Sequence, residues 1–440
     1  MVEGEIMNYQ EALAFIHGRP RLKKTPTLAR MRELMARLGD PQKTLKIIHI
    51  TGTNGKGSTS AYVARMLQAC GYKVGLFTSP YIVRYNDRFT INQAPILDVD
   101  LAAITGKVAA QVKVMDQLGK SPTEFEITTA IMFIYFAQQN VDYAVVEVGI
   151  GGTYDSTNII DQPVMAVITT VALDHMRILG NTLEAIAEQK AGIIKAQCPV
   201  VVGHLPAAAL AVVTKRAQQL EAPLSIYGRD FSAQITTPLH TWGERFTLNP
   251  NLGDVTTWNI QLAGAYQVTN AAIALQVMRI LRQSEVAWSG QDIYTGLQAT
   301  TWPGRFEKVH DQPVVVLDGA HNQAAMHEIK KLLVTKFPGR KVHVLVAILA
   351  DKQPLKVLEE LLAIPDIEIT VTSFAGPRPL ANLQVIKDHI PQVHVEPVWQ
   401  TALQSLFARL GENDILLVTG SLYFIADVRK KFIHGESNGD

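Results

Sequence analysis

The run Thr51-Gly52-Thr53-Asn54-Gly55-Lys56-Gly57-Ser58-Thr59 follows the apolar segment Leu45–Ile50 and opens a helical pattern over Gly55–Cys70. A glycine-rich turn between a buried strand and a helix start is the usual entry to a parallel, doubly wound sheet, and it is the context a phosphate-binding loop requires. Glycines let backbone N–H groups turn toward one anion, and the helix N-terminus adds the positive end of its dipole. Lys56 supplies a full charge for the β- and γ-phosphates, and Ser58 or Thr59 can offer a hydroxyl. The general loop pattern is broken twice: Ile50 stands where glycine is usual, and Gly57 stands where Ser or Thr usually follows the lysine. A plain βα turn with an exposed lysine is the alternative; the coincidence of strand, loop, lysine and hydroxyls speaks against it. Thr53, Asn54, Gly55, Lys56, Gly57, Ser58 and Thr59 are the expected nucleotide contacts.

The rest of the first half continues the alternation. Lys73–Thr78, Tyr143–Val148 and Val164–Thr169 read as strands, with helical patterns over Ile127–Gln138 and Leu183–Ile194. Such alternation implies parallel pairing through right-handed crossovers. A Thr-rich stretch from Leu224 to Leu262 reads as a small antiparallel excursion, followed by a helix over Tyr266–Arg282. After the Pro- and Gly-bearing Thr300–Arg305, strands are expected again at Val314–Leu317, Val342–Ala347, Glu368–Thr372 and Ile415–Thr419. The expected class is therefore α/β: a mostly parallel P-loop domain over residues 1–299, a linker at 300–305, and a smaller Rossmann-like α/β domain over 306–440. The tail Gly435–Asp440 is expected to fray.

Composition narrows the partners. A length of 440 residues allows two or three domains, and 47% hydrophobic residues can fill their cores. Lys plus Arg number 41 and Asp plus Glu 40, a balance with no general pull toward nucleic acid or anionic membrane. Two cysteines, Cys70 and Cys198, form no CxxC pair, which suits a reducing, cytoplasmic compartment rather than a disulfide framework. The N-terminal MVEGEIMNYQ is acidic and lacks an apolar core segment, so no secretory signal is expected, and no apolar run is long enough to span a bilayer.

Several side chains stand where parallel strands end. Glu147 closes the strand YAVVEVG; beside an ATP phosphate such a carboxylate would hold Mg²⁺, while capping a turn is its other reading. Ser79 ends VGLFTS and His175 follows VMAVITTVAL, so the two can share an ion with Glu147. Against this, a lone histidine is more often structural and Mg²⁺ prefers oxygen. Asn181 is the expected cap of the next helix, with Glu184 at its third position. Leu183, Ile186, Ala187, Lys190 and Ile194 then share one apolar face. Burial lowers a lysine's pKa and leaves a neutral amine, which can add CO₂ to give an anionic, metal-binding carbamate; a snorkelling lysine is the alternative. Gln267 and Asn270 open the later helix, where Asn270 can pair with an adenine edge or simply serve as an N-terminal polar residue.

TGTNGKGS resembles the folylpolyglutamate synthase/dihydrofolate synthase family, a branch of the Mur ligase superfamily, and the resemblance runs from about residue 45 to residue 428. Gly57 favours that branch over the muramyl-peptide ligases, which typically carry Thr there. The resemblance implies Mg²⁺ ligands at Ser79, Glu147 and His175. It also implies a carbamylated lysine at Lys190 in Gln189-Lys190-Ala191-Gly192-Ile193, which here holds Gln where the family motif has Glu. Trp302-Pro303-Gly304-Arg305-Phe306-Glu307 matches the family's interdomain segment, so Arg305 is expected to reach the phosphates. Asp318, in Asp318-Gly319-Ala320-His321-Asn322, is expected to meet a ribose hydroxyl or Arg305. His321 and Ser421, the latter in Gly420-Ser421-Leu422-Tyr423, are expected on the substrate side. Three segments depart from the family: Gly149-Ile150-Gly151-Gly152-Thr153-Tyr154-Asp155-Ser156-Thr157-Asn158 for GLGGRLDATN, Ser79-Pro80-Tyr81 for SPH, and Asn86-Asp87-Arg88-Phe89 for an ERI-type motif; Tyr266 replaces a usual His. These changes leave the ATP chemistry intact and bear on pterin specificity.

The implied activity is transfer of the ATP γ-phosphoryl group to a carboxylate of folate, tetrahydrofolate or dihydropteroate, followed by attack of the amine of L-glutamate on the acyl phosphate. A monomer is the default. The alternatives are a muramyl-peptide ligase, a P-loop kinase or nucleotide switch, and a non-catalytic ATP-binding module.

Overall fold

The computed structural model describes residues 6–21, 26–81, 83–236, 242–250, 256–283, 288–376 and 378–433. The tail 435–440 and the first five residues of the N-terminal reading lie outside them. The chain divides into two compact units. The first comprises Met1–Thr236, Arg245–Ile260 and Val268–Thr300, and the second Thr237–Glu244, Gln261–Gln267 and Thr301–Asp440.

In the first unit the strands are β1 (Ile47–Thr51), β2 (Val74–Phe77), β3 (Phe89–Ile91), β4 (Ala94–Pro95), β5 (Tyr143–Glu147), β6 (Met165–Ile168), β7 (Val200–Val202) and β8 (Leu224–Ile226). They form one eight-stranded sheet in the order β4-β3-β2-β5-β1-β6-β7-β8. From β2 to β8 every pairing is parallel, and β3 and β4 add an antiparallel edge. β1 and β5 are buried along their whole length, which is why they read as unbroken apolar runs rather than as alternating ones. Ala144 and Val146 share a core with Ile104, Val108, Ile131 and Phe133 of the helices Asp98–Gln117 and Glu124–Gln138. Ala166, Ile168, Val200 and Val202 share another with Ile186 and Val213 of the helices Leu183–Ala191 and Ala207–Gln219.

Two local expectations are corrected. Leu224–Ile226 is not part of an antiparallel excursion: it pairs in parallel with β7 as the last strand of the large sheet. The antiparallel element is the smaller sheet of β9 (Phe231–Ile235), β10 (Glu244–Pro250) and β11 (Thr256–Ile260). The cap of the helix Leu183–Ala191 is Thr182, not Asn181. Thr182 has the extended backbone a cap needs, and its side chain accepts from Ala185 N.

The second unit carries β12 (Glu307–Asp311), β13 (Val314–Leu317), β14 (Val342–Val346), β15 (Ile367–Ser373), β16 (His394–Val398) and β17 (Ile415–Thr419). The order is β12-β13-β17-β14-β15-β16, parallel except for β12. Unlike a domain beginning at residue 306, this unit takes in residues 242–244 and 261–267. The cause is packing: Trp242 stacks on Phe306 at 5.5 Å, Lys336 pairs with Glu244 at 3.1 Å, and Ala263 lies in the apolar core. Among the described residues no helix is long and apolar enough to cross a membrane.

Candidate active site

In the first unit the phosphate loop leaves β1 and enters the helix Lys56–Ala69, with Gly55 at φ +86° in the cap position. The loop is tied to the segment that follows β6. Thr53 N donates to Thr170 O (2.9 Å), Asn54 N to Thr170 Oγ1 (2.9 Å), and Thr169 Oγ1 to Asn54 O (2.6 Å). A Cβ at Gly52 would collide with Thr169 Oγ1, and one at Gly55 with Asn270 Oδ1. Asn270, buried, therefore lies against the loop itself. Lys56 Nζ donates to Gly52 O (3.0 Å) and Thr53 O (3.3 Å), so the ammonium sits over its own loop. Gly57, Ser58 and Thr59 form the first buried turn of the helix. Thr169 and Thr170 were not singled out from the sequence; their one signal was position, directly after a strand that lies beside β1.

Register brings the expected metal residues to the same sheet edge. Phe77 of β2 is level with Val146 of β5, and Ile50 of β1 is level with Glu147. Glu147 is buried, and its Oε2 accepts from Ser79 N at 3.3 Å. His175 lies beyond β6, at φ +49°, with its backbone N–H on Asp174 Oδ1 (2.7 Å). Ser79 and Glu147 thus meet directly, whereas His175 contacts Asp174. Among the described residues no three side chains drawn from His, Cys, Asp and Glu group as a metal site. The expected set contains only two of those types, Glu147 and His175, beside a serine and a lysine.

Lys190 is a strongly displaced titratable group of this edge. It is 2% exposed on the helix Leu183–Ala191, on the face shared with Ile186 and Ala187. Burial pushes its pKa down to about 7, and the charge of Lys56 pushes the same way; Asp174 and Asp155 oppose them. The Gly151-Gly152 turn after β5 packs on this helix: Thr153 N donates to Gln189 O at 2.8 Å, and Thr51 Oγ1 holds Gly151 O at 2.6 Å. A Cβ at Gly152 would lie 2.6 Å from Gln189 O and 3.0 Å from Lys190 O. Gly152→Ala is therefore expected to destabilise the protein by about 2 kcal/mol, visible as a lower denaturation midpoint. An unchanged midpoint would show that the turn yields freely.

A buried relay behind this turn also escaped the sequence reading. His49 Nε2 lies 2.8 Å from Thr157 Oγ1, which donates to Asp155 Oδ1 (2.6 Å), and Asp155 Oδ2 accepts from Ile150 N (2.9 Å). Burial pushes His49 down to about 3, so it is neutral, and burial raises Asp155.

In the second unit Asp318 and Ser421 follow β13 and β17, which are neighbours in register at Leu317 and Val418. Asp318 is buried and raised by burial, with the charge of Arg305 opposing. Its oxygens accept from Phe306 N (2.7 Å) and Ala320 N (2.7 Å). The carboxylate thus knots Phe306, the residue after Arg305, to the strand end. A Cβ at Gly319 would meet Arg305 Nη1 at 2.6 Å, which places the guanidinium over that turn. His321 Nδ1 lies 2.8 Å from Gly319 O, the contact that a ring protonated at Nδ1 makes. Ser421 is buried, and its Oγ has no hydrogen-bond partner among the described residues.

This geometry can be set beside known proteins. Residues 50–278 match the Mur ligase middle domain, and residues 304–422 match the Mur ligase glutamate ligase domain. The chain is 40% identical to a folylpolyglutamate synthase of Lacticaseibacillus casei over 98% of its own length and 100% of the relative's. It is 38% identical to a dihydrofolate synthase/folylpolyglutamate synthase of Bacillus subtilis, over 96% and 99% of the two chains. A solved folylpolyglutamate synthase–AMPPCP–folate complex superposes with a TM-score of 0.86 at 39% identity, covering 97% of this chain and all of that one.

Proposed function

The chain belongs to the folylpolyglutamate synthase/dihydrofolate synthase family of Mur ligases, and we propose that it is an ADP-forming ligase adding L-glutamate to the γ-carboxylate of a tetrahydrofolate. The observation that carries the reading is one sheet edge on which a lysine-bearing phosphate loop stands with buried Glu147 and buried, near-neutral Lys190. A switch or a plain binding module has no use for a buried amine held near neutrality beside a phosphate loop.

The reaction runs in two displacements. A folate carboxylate oxygen attacks the γ-phosphorus of ATP, the bond to the ADP oxygen breaks, and an acyl phosphate forms. The glutamate amine then attacks the acyl carbon, losing a proton, and inorganic phosphate leaves. Phosphoryl transfer of this kind depends on positioning and charge neutralisation rather than on a protein nucleophile. The loop N–H groups of Thr53 to Thr59 and the Lys56 ammonium hold the phosphates. Asn270, packed on Gly55, contacts the nucleotide, Asp318 its ribose, and Arg305 the transferring phosphoryl group. His321 and the Ser421 hydroxyl, which has no hydrogen-bond partner among the described residues, receive the glutamate.

Mg²⁺ fits the residues present: Glu147 and the Ser79 hydroxyl are the hard oxygen donors it prefers, and His175 is the third candidate. When bound, it neutralises charge on the β- and γ-oxygens. Lys190, as a neutral amine, adds CO₂ by forming an N–C bond and releasing a proton, and the carbamate oxygens would hold a second Mg²⁺. A monomer in the cytoplasm completes the reading; both thiols, Cys70 and Cys198, are free.

The test is incubation with ATP, Mg²⁺, tritiated glutamate and tetrahydrofolate. Label is expected in a product one glutamate longer, with one ADP released per glutamate joined. Dihydropteroate as the acceptor reports on the second activity named for the B. subtilis relative. Incorporation only with a UDP-muramyl acceptor would replace the reading with a muramyl-peptide ligase, and nucleotide binding without product would leave a binding module.

A further inference from the structure

We infer that Glu307 and Arg429 are positioning residues for Arg305, holding the Gly304 backbone before it, as Asp318 holds Phe306 after it, so that its guanidinium is presented to the phosphoryl group. The inference rests on the role proposed for Arg305 and extends it to a pair that touches no substrate.

Four residues make the turn. Before Arg305, Gly304 is at φ +67°, where its N–H donates to Glu307 Oε2 (2.8 Å) and its carbonyl accepts from Gly319 N (2.9 Å). After it, Phe306 adopts φ +46°, a left-handed conformation that is costly for an aromatic residue and persists only when neighbours enforce it. Phe306 N donates to Asp318 Oδ2 (2.7 Å), and its ring stacks on Trp242 with 15° between planes. Glu307 then closes the turn on itself through Gly304.

Arg429 fixes the direction of that closing carboxylate. Its Nε lies 3.0 Å from both oxygens and its Nη2 2.9 Å from Oε1, a forked contact that leaves the carboxylate little freedom. The two side chains are 17% and 20% exposed, so solvent screens the pair only weakly. Arg429 belongs to the helix Leu422–Ile433, which begins directly after Ser421 and whose Leu422 packs on Gly319 under the Arg305 guanidinium. Arg305 itself makes no hydrogen bond or ion pair among the described residues. An arginine whose backbone is pinned on both sides, and whose guanidinium feels the charge of Asp318 but makes no hydrogen bond among the described residues, is set up to meet a ligand.

The experiment compares E307Q, R429Q, R429K and R305A, singly and as the doubles E307Q/R429Q and R305A/E307Q. Steady-state kcat, the KM of each substrate and a thermal melt are read for each. E307Q and R429Q are each expected to lower kcat about tenfold with the folate KM unchanged. The E307Q/R429Q double should be no worse than the weaker single within about twofold, because both act through one contact. R429K should recover part of the loss. The decisive result is R305A/E307Q, which should be no slower than R305A alone. Losses that multiply in that double, or wild-type kcat in the folded E307Q and R429Q proteins, overturn the inference while leaving Arg305 in place. Wild-type activity in R305A removes the role of Arg305 itself.

Discussion

Lys56→Ala is expected to lower kcat at least about a thousandfold, the scale on which a single charge at a transferring phosphoryl group acts, while leaving the melting temperature within about 2 °C. The ammonium is one of several ties on the loop, which keeps the others when it is removed. The loop is held by Thr53 and Asn54 on Thr170 and by Thr169 on Asn54, all through atoms the substitution keeps. What is lost is the charge that rests on Gly52 O and Thr53 O, beside the N–H groups of the phosphate loop. A secondary effect follows from electrostatics. The charge of Lys56 helps depress Lys190, after burial, so the variant should hold the Lys190 amine protonated to a higher pH. Coupled ADP-release kinetics with a thermal melt on the same preparation check both parts. Undiminished turnover in the folded variant would remove the phosphate loop from the chemistry.

What could be read from the sequence was what leaves a mark within one segment. Tyr143–Glu147 and Ile415–Thr419 are buried on both faces and appear as unbroken apolar runs. Lys190 declared itself because an ionisable residue fell on a stripe otherwise filled by Ile186 and Ala187. β12, with the sequence EKVHD, and β16, with HVEPV, are edge strands with partly exposed residues, and offered no such run. The choice between Asn181 and Thr182 as the cap turned on one residue's backbone angles, since both side chains can serve. The ties that shape the site were invisible for a different reason. Thr169 meets Asn54 across 115 positions, and Arg429 meets Glu307 across 122. Polar pairs at such separations carry no local period, so only the folded sheet edges reveal them.

Lys190→Met separates function from stability most sharply. The variant is expected to lose ligation by at least about a hundredfold, as removal of a metal-site group does, and also to melt higher. The sign follows from linkage. The folded Lys190 titrates near 7 and the unfolded one near its ordinary value of 10.5. Below about pH 7 both states are protonated, and the folded protein bears the full penalty of a buried charge. Between the two values the unfolded chain holds a proton that the folded one lacks, so stability rises with pH, and above the upper value the penalty is gone. Methionine fills the volume without a charge. In CO₂-free buffer its gain should therefore be on the order of a few kcal/mol at pH 6 and shrink steadily toward pH 10. The wild-type enzyme should show the reverse dependence in activity. Turnover should fall as pH drops through about 7, where the ammonium cannot form the N–C bond. It should also fall on removal of CO₂ at neutral pH and return when bicarbonate is added. An active K190M, or turnover indifferent to bicarbonate, would remove the carbamate, and a variant that melts lower at every pH would show that the buried amine is paired well enough to stabilise the fold.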